Sequence, residues 1–315
     1  MSMAPAWRWL RVPFRRGSRL ITAALLLLVC ALFVPKLSLP RSTYSYVVVF
    51  DITQSMDVQD YQLDGRPVSR LTYAREAVRR ALGKLPCGSR IGWGAFAEYR
   101  TLLLLAPVEV CANYNDLLAS MDRIDGRMRW ANASQVQRGI YWAMRAAKAV
   151  PGKPDVLFLT DGQEAPPLVG AGLPMFDDLK PGQPGGWLIG TGGYTPQRIP
   201  RTDDDGKLIG YWRADEVIQL DDLVDSSKST SRGAAGAVAK PGTPRSHEEL
   251  SEVREPHLRA LANEVGFQYA HLSNLDSVSE AMRDSRFARR VPSPTDVAWI
   301  PALAALLLLA IRFRA

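Results

Sequence analysis

Two uncharged apolar runs stand at opposite ends of the chain, and arginines flank both. They are residues 20–34 (LITAALLLLVCALFV) and 297–311 (VAWIPALAALLLLAI). Neither carries a polar face, so neither reads as a helix with one side in water. Each is somewhat shorter than the roughly 20 residues that span a bilayer comfortably. Gly17, Ser18 and Pro35 extend the first run, Arg19 and Lys36 can snorkel, and Trp7 and Trp9 suit the interface. We therefore expect transmembrane helices over 20–36 and 297–311. The positive-inside rule then puts the basic ends, residues 1–19 and 312–315, in the cytoplasm. Residues between the anchors fall on the outer side, periplasmic in a Gram-negative bacterium, although Arg286, Arg289 and Arg290 just outside the second run argue mildly against this. A cleaved signal peptide is the rival for the first run, but the exit VPKLSLP lacks a small-residue cleavage site. Cys30 follows Val29, where a lipid anchor would want a small residue.

The charge distribution supports this division. The chain has 39 basic and 32 acidic residues, a net charge of +7. Arg8, Arg11, Arg15, Arg16, Arg19, Arg312 and Arg314 lie at the ends, and without these seven the basic count equals the acidic one. The basic balance is thus a topology signal and not a nucleic-acid patch. With 47% hydrophobic and 23% charged residues, the chain has enough apolar material for a packed core, and three cysteines exclude a disulfide scaffold.

Between the anchors, strand and helix patterns alternate. Tyr46–Phe50 (YVVVF) is a continuous apolar run, as buried parallel strands are. Apolar residues at helical spacing predict a helix over 71–85. Residues 90–97 and 101–108 read as strands, 114–124 and 134–150 as helices, and 155–160 and 186–190 as buried strands. A helix over 246–265, a strand over 267–272 and a membrane-proximal helix within 273–294 follow. This is a doubly wound α/β pattern. The link between the second and third strands is too short for a parallel crossover, so that pair must be an antiparallel hairpin. Residues 165–185 read as a Pro- and Gly-rich loop, and 224–245 as a flexible insert. Asp203-Asp204-Asp205-Gly206 reads as a hairpin turn, because the alternating spacing and closing Glu of a calcium loop are missing.

The chemistry concentrates at strand ends. The first strand runs into Asp51-Ile52-Thr53-Gln54-Ser55, and DVLFLT runs into Asp161-Gly162. In a doubly wound sheet, ligands bind at the carboxyl edge of the strands. Carboxylates with hydroxyls at that edge form a hard-oxygen set that suits Mg²⁺, and less often Mn²⁺ or Ca²⁺.

Asp-x-Thr-x-Ser after one strand and Thr-Asp-Gly after another resemble the von Willebrand factor A domain, over about residues 42–272. The resemblance implies a metal-ion-dependent adhesion site held by Asp51, Thr53, Ser55, Ser134 and Asp161. Thr53 and Ser134 substitute hydroxyl for hydroxyl, and Ser134 also suits a helix N-cap. One metal position would stay open for a carboxylate from a protein partner, so the implied work is binding rather than catalysis. With two anchors, the chain is similar to membrane proteins of the aerotolerance (Bat) type, encoded beside MoxR-type AAA+ ATPases. That implies a functional link to such an ATPase and to other membrane proteins of this kind. It also implies a role in maturing a periplasmic enzyme, such as a quinoprotein methanol dehydrogenase, with metal insertion as one route. An adhesion module for an extracellular protein is the alternative.

Cys87 precedes the second strand and Cys111 follows the third. Antiparallel pairing makes them neighbours, and a disulfide is expected in an oxidising compartment, two free thiols being the alternative. No Gly-x-x-x-x-Gly-Lys-Ser/Thr loop, Gly-x-Ser-x-Gly elbow or zinc-type histidine spacing is present. Gly190-x-Gly192-Gly193 lacks a following helical pattern. The expectation is of a chain that is not an enzyme.

Overall fold

The run Tyr46–Phe50 becomes the middle of a six-stranded sheet. The computed structural model describes residues 16–35, 37–168, 179–223 and 246–314. The sheet strands are β1 (Ser45–Asp51), β2 (Arg90–Ala97), β3 (Arg100–Glu109), β4 (Asp155–Thr160), β5 (Gly186–Gly190) and β6 (Gln268–His271). Their order is β6-β5-β4-β1-β2-β3. All neighbours are parallel except β2 and β3, the expected edge hairpin.

The alternation of β1 shows why its apolar run is unbroken. Tyr46, Val48 and Phe50 join one core with α1 (Arg70–Leu82), α2 (Tyr114–Met121) and α5 (Ser277–Met282). Val47 and Val49 join a second core with α3 (Val136–Ala149) and α4 (Glu255–Val265). Both faces are covered, so both side-chain sets must be apolar. On the second face α3 lies close on the sheet: a Cβ at Gly139 would come 2.2 Å from the Phe96 ring. Gly139→Ala would therefore force overpacking at about 1–3 kcal/mol.

Element ends depart from expectation where tertiary partners or proline decide. The helix expected from 246 begins at Glu255, with Pro256 in its first turn, after a short strand Leu250–Ser251. The membrane-proximal helix expected within 273–294 ends at Met282, and Arg289–Thr295 is a strand. Pro292 and Pro294 exclude a helix there. Asp203 is the hairpin turn expected: Pro200–Thr202 pairs with Leu208–Tyr211, and Asp203 Oδ1 accepts from the amides of Asp205 and Lys207.

Residues 42–289 form one unit, and the two chain ends form another. In the latter, helices Arg16–Phe33 and Trp299–Arg314 pack together, and strands Leu37–Thr43 and Arg289–Thr295 pair. Ala24 and Ala305 are buried, whereas Leu25, Leu26, Leu306 and Leu307 are exposed. Among the described residues, no helix is long and apolar enough to cross a membrane. The spanning helices expected over 20–36 and 297–311 are thus not supported among these residues. Helices of 18 and 16 residues, at about 1.5 Å per residue, fall short of a hydrocarbon core of roughly 30 Å. Pro35 closes the first helix, and the chain turns extended at Leu37. The insert 224–245, the basic residues 1–15 and residues 169–178 of the expected loop lie outside the described residues.

The disulfide is formed. Cys87 and Cys111 are bonded with their Cα atoms 5.3 Å apart. Glu109 sits beside them and accepts from the amides of Gly88 and Ala112, each at 2.6 Å. Although Glu109 and the two sulfurs converge, the sulfurs are bonded to each other and offer no thiolate to a metal. Closing this 24-residue separation stabilises the fold by about 3 kcal/mol through the unfolded chain.

Candidate functional site

β1 and β4 are neighbours, and the chain order reverses around β1. The carboxyl ends of these strands therefore open a crevice. Asp51 closes β1, and Asp161 follows β4. Both are fully buried, as nearly are Thr53, Ser55 and Ser134.

Asp51 is surrounded by neutral donors. Its Oδ1 accepts from the Thr53 amide at 2.9 Å and the Thr53 hydroxyl at 2.7 Å. Its Oδ2 accepts from the Thr160 hydroxyl at 2.6 Å. The hydroxyls of Thr53 and Ser55 are 3.2 Å apart. Burial, and next the charge of Asp161, raise the Asp51 carboxyl above the ordinary carboxylate range, against the pull of the Thr160 and Thr53 hydrogen bonds. Such a carboxylate lacks a positive charge.

Thr53, Ser55 and Ser134 line one cavity of about 210 Å³. Ser134 arrives by a separate route. It lies between β2 and the loop after β4: its amide donates to Ala165 O, and Ala165 N donates back, both at 2.7 Å. Its hydroxyl is buried and has no hydrogen-bond partner among the described residues. The expected N-cap role of Ser134 is thereby corrected. Gln135 is the residue before α3, and the Glu164 carboxylate caps the helix by accepting from Val136 N at 3.0 Å and Gln137 N at 3.4 Å. Ser134 is left lining the cavity with its hydroxyl uncommitted. An unpartnered buried hydroxyl is costly unless a ligand completes it.

Asp161 behaves differently. Its Oδ2 accepts from Arg70 Nη1 at 2.8 Å and from the Ser251 hydroxyl at 2.9 Å, and its Oδ1 from Gln163 N at 3.0 Å. Of the five expected ligands, the structure thus gathers Asp51, Thr53, Ser55 and Ser134 at one place. Asp161 stands at the same edge but turns both oxygens to other partners.

Sequence reasoning missed Arg70, Thr160, Glu164, Ser251 and Trp212. Thr160 was within reach, since it directly precedes Asp161 at the strand end. The others act across long separations and leave no local pattern. The Trp212 indole donates to Gln54 Oε1 beside the cavity, and Ile199, Trp212 and Ile218 line its apolar wall. His271 is structural, as its ring nitrogen bonds Gly192 O at 2.8 Å. His257 instead meets Glu164 at 3.1 Å.

Residues 46–163 match the family described as von Willebrand factor type A domain. No curated protein matches the chain. Among solved structures, an aerotolerance-related membrane protein from Bacteroides fragilis, carrying multiple mutations to serine, is 15% identical. The alignment covers 76% of this chain and 96% of that one, with a TM-score of 0.46. The D319A mutant of the PilB minor pilin from Streptococcus sanguinis is 11% identical over 85% of this chain and 63% of that one, with a TM-score of 0.38. A von Willebrand factor type A protein from Catenulispora acidiphila is 12% identical over 77% and 41%, with a TM-score of 0.34. At these identities and scores the likenesses carry no functional weight.

Proposed function

We propose that the von Willebrand factor A domain over residues 46–163 makes this chain a protein-binding module that engages its partner through a divalent cation. One observation carries the reading. Ser134, whose buried hydroxyl has no hydrogen-bond partner among the described residues, lines the same cavity as Thr53 and Ser55, and Thr53 hydrogen-bonds a carboxylate, Asp51, whose partners are all neutral. Every donor is a hard oxygen, which fits Mg²⁺, with Mn²⁺ or Ca²⁺ as substitutes. Asp51 would supply the charge, Thr53, Ser55 and Ser134 the hydroxyl oxygens, and Asp161 a flanking carboxylate. A cation held there offers an electrophilic position to a carboxylate from a partner protein. The work proposed is binding, not catalysis.

The disulfide supports an oxidising compartment. The terminal helices, with leucines turned outward, support a membrane seat for the chain ends. The proposed location is the bacterial inner membrane, with residues 42–289 periplasmic and both basic ends cytoplasmic. That topology requires spans longer than helices 16–33 and 299–314. In this setting the module would serve assembly or maturation of a periplasmic enzyme, in concert with a MoxR-type AAA+ ATPase and other membrane proteins of its kind. The apolar terminal helices and the stretch Pro107-Val108-Glu109-Val110-Cys111 favour a role like that of the methanol-oxidation accessory protein MxaL, with a quinoprotein methanol dehydrogenase as client.

Calorimetric titration of the full chain with Mg²⁺ tests the metal step. Saturable one-site binding that Asp51→Ala abolishes is the expected result, and binding that the substitution leaves unaltered would refute it. For the client role, deleting the gene should leave the enzyme's polypeptide exported but inactive. A fully active enzyme in the deletion strain would refute that role.

A further inference from the structure

Arg70 occupies a place that a cation does not take without compensation. It is the first residue of α1, where the helix dipole disfavours positive charge, and it is fully buried. Its partners supply the compensation. Nε and Nη2 fork onto Asp60, with Nη2 at 2.7 Å from Oδ2. Nη1 reaches Asp161 Oδ2 at 2.8 Å and Ser251 Oγ at 2.7 Å, and lies 3.4 Å from Ser55 O. Nη2 also donates to Ser251 O at 3.1 Å. The guanidinium therefore joins the Asp51–Ser55 loop, the Asp161 loop and the strand Leu250–Ser251.

We infer that Arg70 is the resident counter-charge of the metal site, a positioning residue that holds Asp161 off the metal and leaves Asp51 as its direct carboxylate. The inference rests on the metal-binding reading above. Both Asp161 oxygens are committed, one of them to Arg70, whereas Asp51 meets only neutral donors. A divalent ion beside one carboxylate without a counter-charge keeps a net positive charge, and that excess is what an acidic group of a partner would answer. Arg70 thereby sets a weak resting affinity for the metal and a strong preference for an anionic ligand.

The test is Mn²⁺ uptake by the purified full chain, read by electron paramagnetic resonance, with near-ultraviolet dichroism to establish the native fold. Arg70→Gln removes the charge that holds Asp161. Arg70→Met with Asp60→Asn removes the cation together with its second partner, so that one variant remains informative if the other fails to fold. Each is expected to bind Mn²⁺ about tenfold more tightly than wild type, because the Asp161 carboxylate is released to the metal. Arg70→Lys should show no gain, and adding Asp161→Asn to either charge-removing variant should erase it. A purely structural Arg70 would give equal or weaker binding in the folded variants, and that result, or a gain that survives Asp161→Asn, overturns the inference. Uptake by wild type without a gain refutes the role of Arg70 alone. No uptake by any chain refutes the metal reading as well.

Discussion

Asp51 ends β1 and Asp161 directly follows the neighbouring parallel strand β4, and both are fully buried, yet their surroundings are opposite. Asp161 is paired with a buried guanidinium and a hydroxyl. Asp51 accepts one amide and two hydroxyls, and no cation meets it. A buried ionised carboxylate is tolerated when charge and hydrogen bonds together compensate it. By that measure Asp161 is compensated by charge and hydrogen bonds, whereas Asp51 is compensated by hydrogen bonds alone among the described residues. The difference teaches that two acids of one motif on one edge can meet opposite electrostatic surroundings, and under the proposed metal reading it divides their roles.

Substitutions measured by urea unfolding in chelator can break or sharpen this contrast. The largest effects belong to the compensated pair. Arg70→Met, which strands Asp161 and Asp60, and Asp161→Asn, which strands part of Arg70, should each destabilise by about 3–5 kcal/mol. Ser251→Ala removes a hydroxyl that donates to Asp161 and accepts from Arg70, and should cost about 1–2 kcal/mol. Asp51→Asn orphans no cation, and its metal-free stability should stay within about 1 kcal/mol of wild type. If Asp51→Asn proved as damaging as Asp161→Asn, the proposed division between the two acids would fail.

What the sequence carried was local. The run YVVVF, the short link at Glu98 and Tyr99, and the turn at Asp203 each bear their geometry in adjacent residues, and the hairpin in turn placed Cys87 beside Cys111. The hydroxyl positions Thr53, Ser55 and Ser134 were legible from spacing and resemblance. Arg70 was not, because its partner Asp161 lies 91 residues away, and an arginine opening a helix signals nothing by itself. Nor was Glu164, whose capping of α3 frees the Ser134 hydroxyl, because that contact depends on how the loop after β4 folds back. The terminal helices were legible as apolar segments but not in their limits, which Pro35 and the extended chain at Leu37 decide.

Thermal unfolding of the full chain, in chelator and in saturating Mg²⁺, beside Asp51→Ala, tests the central claim most directly. At about 100 times its dissociation constant a ligand stabilises by roughly 2.7 kcal/mol, which for a domain of this size is a rise of roughly 5–10 °C. We predict that rise in wild type and its loss in Asp51→Ala. An equal rise in both, or none in wild type, would contradict the assignment of Asp51 as the carboxylate that receives the metal.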